Sequence, residues 1–185
     1  MGAIITLTTD LGLTDAYVAA MKGVILGINP EAKLVDICHS IKPQNITQAA
    51  FVLSTAYKFF PQKTIHVVVV DPGVGTKRRA IILRTPSADF VAPDNGVLSY
   101  VIQESSAKGV AGNVDLQQLE PELEAVAITK AEYWRLPVSP TFHGRDIFAP
   151  VAARLSLGFP PIDFGEVITS VTMLPLLRPY QAHDG

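Results

Sequence analysis

The sequence has very little cysteine: Cys38 is its only one, so it carries no internal disulfide bond. A lone cysteine fits a reducing compartment, and we expect a cytoplasmic location. Long apolar runs are also missing. No segment approaches the roughly 18 apolar residues that a membrane-spanning helix needs, and Asp10 interrupts the first apolar run. Neither a membrane partner nor a signal peptide is predicted.

Charge is scarce as well, at 17% of the 185 residues, whereas hydrophobic residues make up 48%. This balance excludes an intrinsically disordered chain and predicts a folded one of about one domain. The formal net charge of −2 lacks the basic footprint of a nucleic-acid-binding protein, so no nucleic-acid partner is expected. The spacings HxxxH, CxxC and GxSxG are absent, so neither a metal site nor a serine hydrolase is predicted.

Short β-branched runs alternate with segments of helical spacing along the chain, which predicts an α/β fold with a largely parallel central sheet and helices on both faces. Thr14 and Asn45 are the expected caps of the first two helices. The polar stretch 105–123 is interpreted as a surface connection. Recurring prolines predict an irregular tail or linker at 161–185, which leaves residues 1–160 for the α/β domain. Strands are predicted at 3–9, 33–38, 64–70, 80–85, 89–93 and 124–129, and helices at 14–29, 46–60, 96–104 and 145–158.

Polar clusters follow the strands, where open α/β sheets bind their ligands. In "HVVVVDPGVGTKRR", Asp71 ends a buried strand, and such a carboxylate is costly unless it is paired. Gly73 and Gly75 allow the chain to turn back, so that Arg78 or Arg79 pairs with Asp71 and together they hold a water molecule or a substrate. A simple surface turn with an ion pair is the alternative.

Two further clusters flank the expected site. Asp10 and Asp15 border a tight loop after the first strand, where a carboxylate either accepts ribose hydroxyls or caps the next helix. In "APDNG", Asn95 belongs either to the site or only to an Asn-Gly turn. In "TFHGRD", His143 either exchanges a proton near neutral pH or is a structural histidine, and Gly144 is expected to leave open space beside it.

The blocks "TTDLGLTDAYVAAMKGVI", "VVDPGVGTKRRAI", "VAPDNGVLS" and "TFHGRDIFAPVAA" together resemble the S-adenosyl-L-methionine (SAM) hydroxide adenosyltransferase family, which is related to the fluorinases and chlorinases. The resemblance covers most of residues 4–155. It implies that water attacks the ribose 5′ carbon of SAM and releases adenosine and L-methionine, with SAM as substrate and no cofactor.

The resemblance also implies roles for individual residues. Asp71, Arg78 and His143 match a trio that orients and activates the water, with Arg78 preferred to Arg79 and His143 expected as the base. Asp10 matches a carboxylate that holds the ribose hydroxyls. The other expected substrate contacts are Asp15, Asn95, Phe142 and Gly144.

The resemblance implies a homotrimer. Members of the family continue into a smaller β-rich domain, which is expected to be missing here. Two other functions remain open at this stage. One is a non-catalytic adenosyl-binding or assembly module, and the other is a SAM-dependent chlorinase, which the negative charge of Asp71 disfavours.

Overall fold

The computed structural model describes residues 2–105 and 116–175. In that part of the chain, no helix is long and apolar enough to cross a membrane. A single π-helical turn, Gly144–Phe148, directly precedes the last helix. The strands are β1 (Ile4–Thr9), β2 (Lys33–Cys38), β3 (Thr64–Val69), β4 (Ala80–Arg84), β5 (Ala88–Pro93), β6 (Leu116–Gln118), β7 (Glu124–Ile128), β8 (Gly165–Ile168) and β9 (Ser170–Thr172), and the helices are α1 (Tyr17–Ile28), α2 (Ile46–Ala56), α3 (Ser99–Ser105) and α4 (Ala149–Leu155).

Seven strands form one sheet in the order β2-β1-β3-β5-β4-β7-β8. The first four are parallel to one another, whereas β4 pairs antiparallel with β5 and β7, and β8 pairs antiparallel with β7. The predicted α/β fold is confirmed, and its parallel half is the one built from alternating strands and helices.

Helices lie on both faces of this sheet, as predicted. On one face, α1 and α4 pack against alternate residues of β1 and β3, among them Leu7 and Val67. On the other face, α2 and α3 pack against the intervening residues, among them Val68. Every residue of β3 is buried, which explains its largely apolar sequence, TIHVVV.

The two predicted helix caps have different outcomes. Asn45 caps α2, because its side chain accepts a hydrogen bond from the backbone N–H of Gln48 at 2.9 Å. The prediction for Thr14 is wrong: α1 begins after Ala16, and no side chain caps it. The helix starts at Tyr17, three residues after Thr14.

The segment from 161 onward contains regular structure, so the prediction of an irregular tail is wrong for residues 161–172. After a 3₁₀ turn at Pro161–Phe164, β8 adds an edge strand to the main sheet. β9 then pairs antiparallel with β6, which lies inside the stretch predicted as a surface connection. Residues 106–115 and 176–185 of those two predictions lie outside the described residues.

Candidate active site

The candidate site lies where the strand order reverses. The chain runs from β1 outward to β2 and then returns to the other side of β1 to form β3. In open α/β sheets, the loops that leave two such neighbouring strands diverge and form a crevice at their carboxyl ends. Asp10 follows β1 directly, and Asp71 stands two residues after the end of β3, so both lie at this crevice.

Asp71 forms an ion pair with Arg78, as the sequence predicts. Arg78 Nε donates to both carboxylate oxygens of Asp71, at 2.9 and 2.8 Å, and Nη2 donates to Oδ2. The two side chains are only 5% and 11% exposed. The intervening loop needs its glycines: Gly75 has φ +76°, and a Cβ on Gly73 would lie 3.0 Å from Arg78 Cγ.

His143 is positioned by an unusual helix start. Pro150 has no N–H to donate to the carbonyl of Asp146, four residues earlier, and the backbone widens here into the π turn. That free carbonyl accepts instead from the N–H of Arg135 at 2.8 Å. The buried Asp146 carboxylate also accepts from Ser139 N at 2.8 Å and from Arg145. The segment after His143 is therefore anchored from several sides.

Arg78 joins the carboxylate to the histidine. Its Nη2 contacts His143 Nδ1 at 2.9 Å as well as Asp71. Because a guanidinium has donors only, Nδ1 is the acceptor, and the neutral ring carries its proton on Nε2. Burial and then the cation of Arg78 lower the pKa of His143, against the opposing effect of the Asp71 and Asp146 carboxylates. In this arrangement the ring has no free lone pair, which disagrees with the expected role of His143 as the base.

A void of about 70 Å³ opens beside this trio, with room for one water molecule or a few. Its lining residues include Asp10, Asp71, Phe142, His143 and Gly144, so five of the eight expected site residues meet at one place. It is too small for an adenosyl group. A cleft of about 380 Å³ lies on the other side of Arg78 and His143, with largely apolar walls.

Gly144 does not leave the open space that the sequence suggested. A Cβ at this position would lie 3.1 Å from Met21 Sδ and 3.3 Å from Val69 Cγ1. Glycine therefore allows the π turn to pack closely against α1 and β3, and it lines the void with its backbone only.

Asp15 and Asn95 do not line the void. Asp15 is exposed in the turn before α1. The Asn95 amide donates to the carbonyl of Val70 at 2.9 Å and accepts from Val97 N, and Gly96 has φ +92°. Asn95 therefore belongs to an Asn-Gly turn that is tied to the residue preceding Asp71.

The sequence reasoning missed two pairings at this edge. Arg79 forms an ion pair with the buried Asp94, whose carboxylate also accepts from Thr172 N at 2.7 Å. Thr9 contacts His39 Nδ1 at 2.8 Å. The only available signal was polar residues next to the strand ends, in "TTD", "CHS" and "APD". In the described residues, no group of three His, Cys, Asp or Glu side chains is placed to hold a metal ion.

A protein-family model described as the SAM hydroxide adenosyltransferase N-terminal domain matches residues 5–165. The chain belongs to this family. A relative in Salinispora tropica named (R)-S-adenosyl-L-methionine hydrolase is 41% identical over 179 residues, which is 95% of this chain and 63% of the relative. A more distant relative in Nocardia brasiliensis, named fluorinase, is 29% identical over 85% of this chain and 55% of its own length.

Among solved structures, an uncharacterized conserved protein from Thermotoga maritima superposes with a TM-score of 0.85 at 42% identity. The match covers 97% of this chain and 63% of that one. The chain therefore spans somewhat less than two thirds of the length of these two proteins. The family resemblance inferred from the four sequence blocks is confirmed.

Proposed function

We propose that the chain hydrolyses SAM to adenosine and L-methionine by attack of water on the ribose 5′ carbon. The observation that carries the proposal is the meeting of Asp71, Arg78 and His143 beside a void of water size that Asp10 also lines. The name of the Salinispora tropica relative supports the same substrate.

In the proposed reaction, the water oxygen forms a bond to C5′ while the bond from C5′ to sulfur breaks. Sulfur keeps that electron pair and leaves as the neutral thioether of methionine, so no acid has to protonate it. The attacking water is the weak partner, and fixing its position is the main task of the site. No cofactor is needed, because the sulfonium centre of SAM itself supplies the activated leaving group.

The contacts of the trio favour Asp71 as the acceptor of the water proton. Arg78 keeps the carboxylate in one orientation and uses the remaining donor of Nη2 to hold the His143 ring. His143 Nε2–H then donates a hydrogen bond within the site and does not remove a proton. Asp10 binds the ribose hydroxyls from the neighbouring loop.

The charge of Asp71 argues against halide as the nucleophile. Chloride or fluoride in the same void would lie next to a carboxylate that is 5% exposed, and like charges repel strongly where water is excluded. A neutral water molecule has no such penalty and can donate to the carboxylate.

The test uses SAM hydrolysis in H₂¹⁸O, followed by mass spectrometry of both products. We expect ¹⁸O in the 5′ hydroxyl of adenosine and none in methionine. Asp71→Asn should lower the turnover rate by more than 10²-fold and His143→Gln by less than that, because only the first variant removes the proton acceptor. Asp89→Asn, at the opposite edge of the sheet, is the control and should leave the rate unchanged.

The alternatives give different results in the same assay. Tight adenosine binding without turnover would support a non-catalytic adenosyl-binding module. Formation of 5′-chloro-5′-deoxyadenosine with added chloride would support a chlorinase. Label in methionine, or equal rates for wild type and Asp71→Asn, would contradict the mechanism.

We also propose a cytoplasmic homotrimer in which a neighbouring subunit closes the substrate site. Two exposed apolar side chains close to residues that line the void support this. Leu13, two residues after Leu11, is 73% exposed, and Tyr17, which packs edge-on against Phe142, is 47% exposed. Sedimentation equilibrium measures the mass in solution. A monomer at all concentrations would overturn the trimer, and fractionation of the source cells tests the location.

A further inference from the structure

Three contacts tie the loop after β1 to the loop after β2. Thr9 Oγ1 lies 2.8 Å from His39 Nδ1, and Gly12 N donates to the His39 carbonyl at 2.8 Å. Gln44 N donates to Asp10 Oδ2 at 2.7 Å. Asp10, the carboxylate assigned to the ribose, is therefore held by a neighbouring loop. Its Oδ2 accepts a hydrogen bond from Gln44, and its Oδ1 has no hydrogen-bond partner among the described residues.

The direction of each bond follows from the chemistry of its partners. His39 Nε2 lies 2.9 Å from Asp36 Oδ1, an ion-pair distance with poor alignment for a linear hydrogen bond. A carboxylate only accepts, so in the neutral ring Nε2 carries the proton and Nδ1 accepts from the Thr9 hydroxyl. Thr9 Oγ1 in turn accepts from Leu11 N at 3.2 Å. The result is one oriented series of polar contacts that runs from Asp36 through His39 and Thr9 to the backbone beside Asp10.

A local irregularity of the sheet places His39 there. Leu7 pairs with Asp36, whereas the next residue, Thr8, pairs with Cys38, so Ile37 is an extra residue in β2. Such a bulge bends the strand and changes the direction of the side chains that follow it. Without it, the end of β2 would not bring the ring of His39 beside Thr9.

Thr9 and His39 are buried polar groups with few other partners, whereas Asp36 is 41% exposed and also pairs with Lys22. Thr9 is fully buried and His39 is 5% exposed. A valine and an apolar residue would fill the same space without needing any hydrogen bond. Gln44 adds backbone strain, because its φ of +63° is rare for a residue other than glycine. Strain and buried polar contacts concentrate where a loop must hold one conformation.

We propose that His39 is a positioning residue and that Asp36, His39 and Thr9 fix the loop that presents the Asp10 carboxylate to the ribose hydroxyls. The proposal rests on the function proposed above, and it assigns a task to three side chains that contact no part of the reacting centre.

The experiment compares four variants with the wild type. Thr9→Val removes the hydroxyl at nearly constant volume, and His39→Leu removes the acceptor. His39→Asn is the conservative variant, because its amide oxygen can replace Nδ1 as the acceptor from Thr9. Lys22→Met is the matched control. It removes the exposed ion pair of Lys22 with Asp36, at 2.6 Å, and leaves the side chains of Asp36, His39 and Thr9 unchanged.

The first readout is amide hydrogen exchange of Leu11, Gly12 and Gln44, which needs no activity. We expect faster exchange at all three in Thr9→Val and His39→Leu, and wild-type rates in Lys22→Met and His39→Asn. Unchanged exchange at these amides in Thr9→Val would overturn the proposal, whether or not the chain acts on SAM.

The second readout is the affinity for adenosine and for 2′,3′-dideoxyadenosine by calorimetry. Thr9→Val should weaken adenosine binding about tenfold and leave the dideoxy analogue unaffected, because only adenosine offers hydroxyls to Asp10. For SAM, KM should rise with kcat within about twofold, since the ribose contact exists in both the ground and transition states. Equal losses for both nucleosides would indicate general destabilisation and refute the positioning role.

The two proposals fail in distinguishable ways. If the wild-type chain neither cleaves SAM nor binds adenosine, the proposed function fails, and the exchange rates alone decide whether the loop is held by His39. If wild type is active and Thr9→Val behaves like wild type in both readouts, only the inference about His39 fails.

Discussion

Replacing Arg78 with methionine tests the central pairing of the site. In the structure, Asp71 receives every described side-chain hydrogen bond from Arg78, and both side chains are nearly buried. Removing one partner leaves an uncompensated charge in a poorly hydrated place, which costs about 3–5 kcal/mol. Methionine keeps an apolar stem, and it loses both the ion pair and the contact of the guanidinium carbon with the Phe148 ring, which is 5.2 Å from the ring centroid.

The double variant Asp71→Asn/Arg78→Met separates charge from packing. It removes both charges, so we expect a cost of about 1–2 kcal/mol, which is about 2–3 kcal/mol less than the cost of Arg78→Met alone. Arg84→Met is the control, because Arg84 forms a similar pair with Asp89 but is 39% exposed. Its loss should cost less than about 1 kcal/mol.

Urea unfolding measures the three free energies. If Arg78→Met and Arg84→Met destabilise the chain equally, or if the double variant is worse than Arg78→Met alone, the argument for a desolvated pair is refuted. NMR titration of His143 adds a second check. Arg78 lowers the pKa of His143, whereas the Asp71 and Asp146 carboxylates raise it, so the pKa must rise in Arg78→Met.

Three further predictions concern the fold. Burial lowers the pKa of His66 to about 4, so its contribution to stability is complete above pH 6.5 and falls by about 3 kcal/mol towards pH 4; urea unfolding against pH should show this, and His66→Gln should flatten that part of the curve. Gly75→Ala should cost clearly more than Gly12→Ala, because both have positive φ but only at Gly75 would a Cβ meet a carbonyl oxygen, at 2.5 Å; equal melting temperatures would contradict this. Asn45→Ala should cost about 1 kcal/mol through loss of the α2 cap, measured by thermal unfolding.

Local sequence patterns were enough to predict the parallel half of the sheet. Its two central strands, β1 and β3, are almost completely buried, so each appears as a largely β-branched run, and helices of apolar periodicity separate the strands. The antiparallel edge was harder to predict. In β8, Glu166 and Val167 are exposed, and its pairing with β7 is decided by tertiary contacts rather than by an apolar pattern.

The same distinction holds at the site. The convergence of Asp71, Arg78 and His143 was predictable, because strand ends of a parallel sheet meet at one edge and glycines mark the turn. The Thr9–His39 contact was not, because it depends on an extra residue in β2 that has no signature in the sequence. The tight packing of Gly144 was not predictable either, since it depends on Met21 in a distant helix.

The role of His143 shows most clearly what coordinates add to a sequence. A histidine beside a glycine can act as a base, and the sequence alone does not distinguish that role from a structural one. The decisive fact is the position of one nitrogen: Arg78 Nη2 contacts both Asp71 and His143 Nδ1, which fixes the tautomer of the ring and occupies its only lone pair. In the proposed mechanism, proton acceptance then falls to the carboxylate, because the contacts of Arg78 leave Asp71 as the acceptor beside the void.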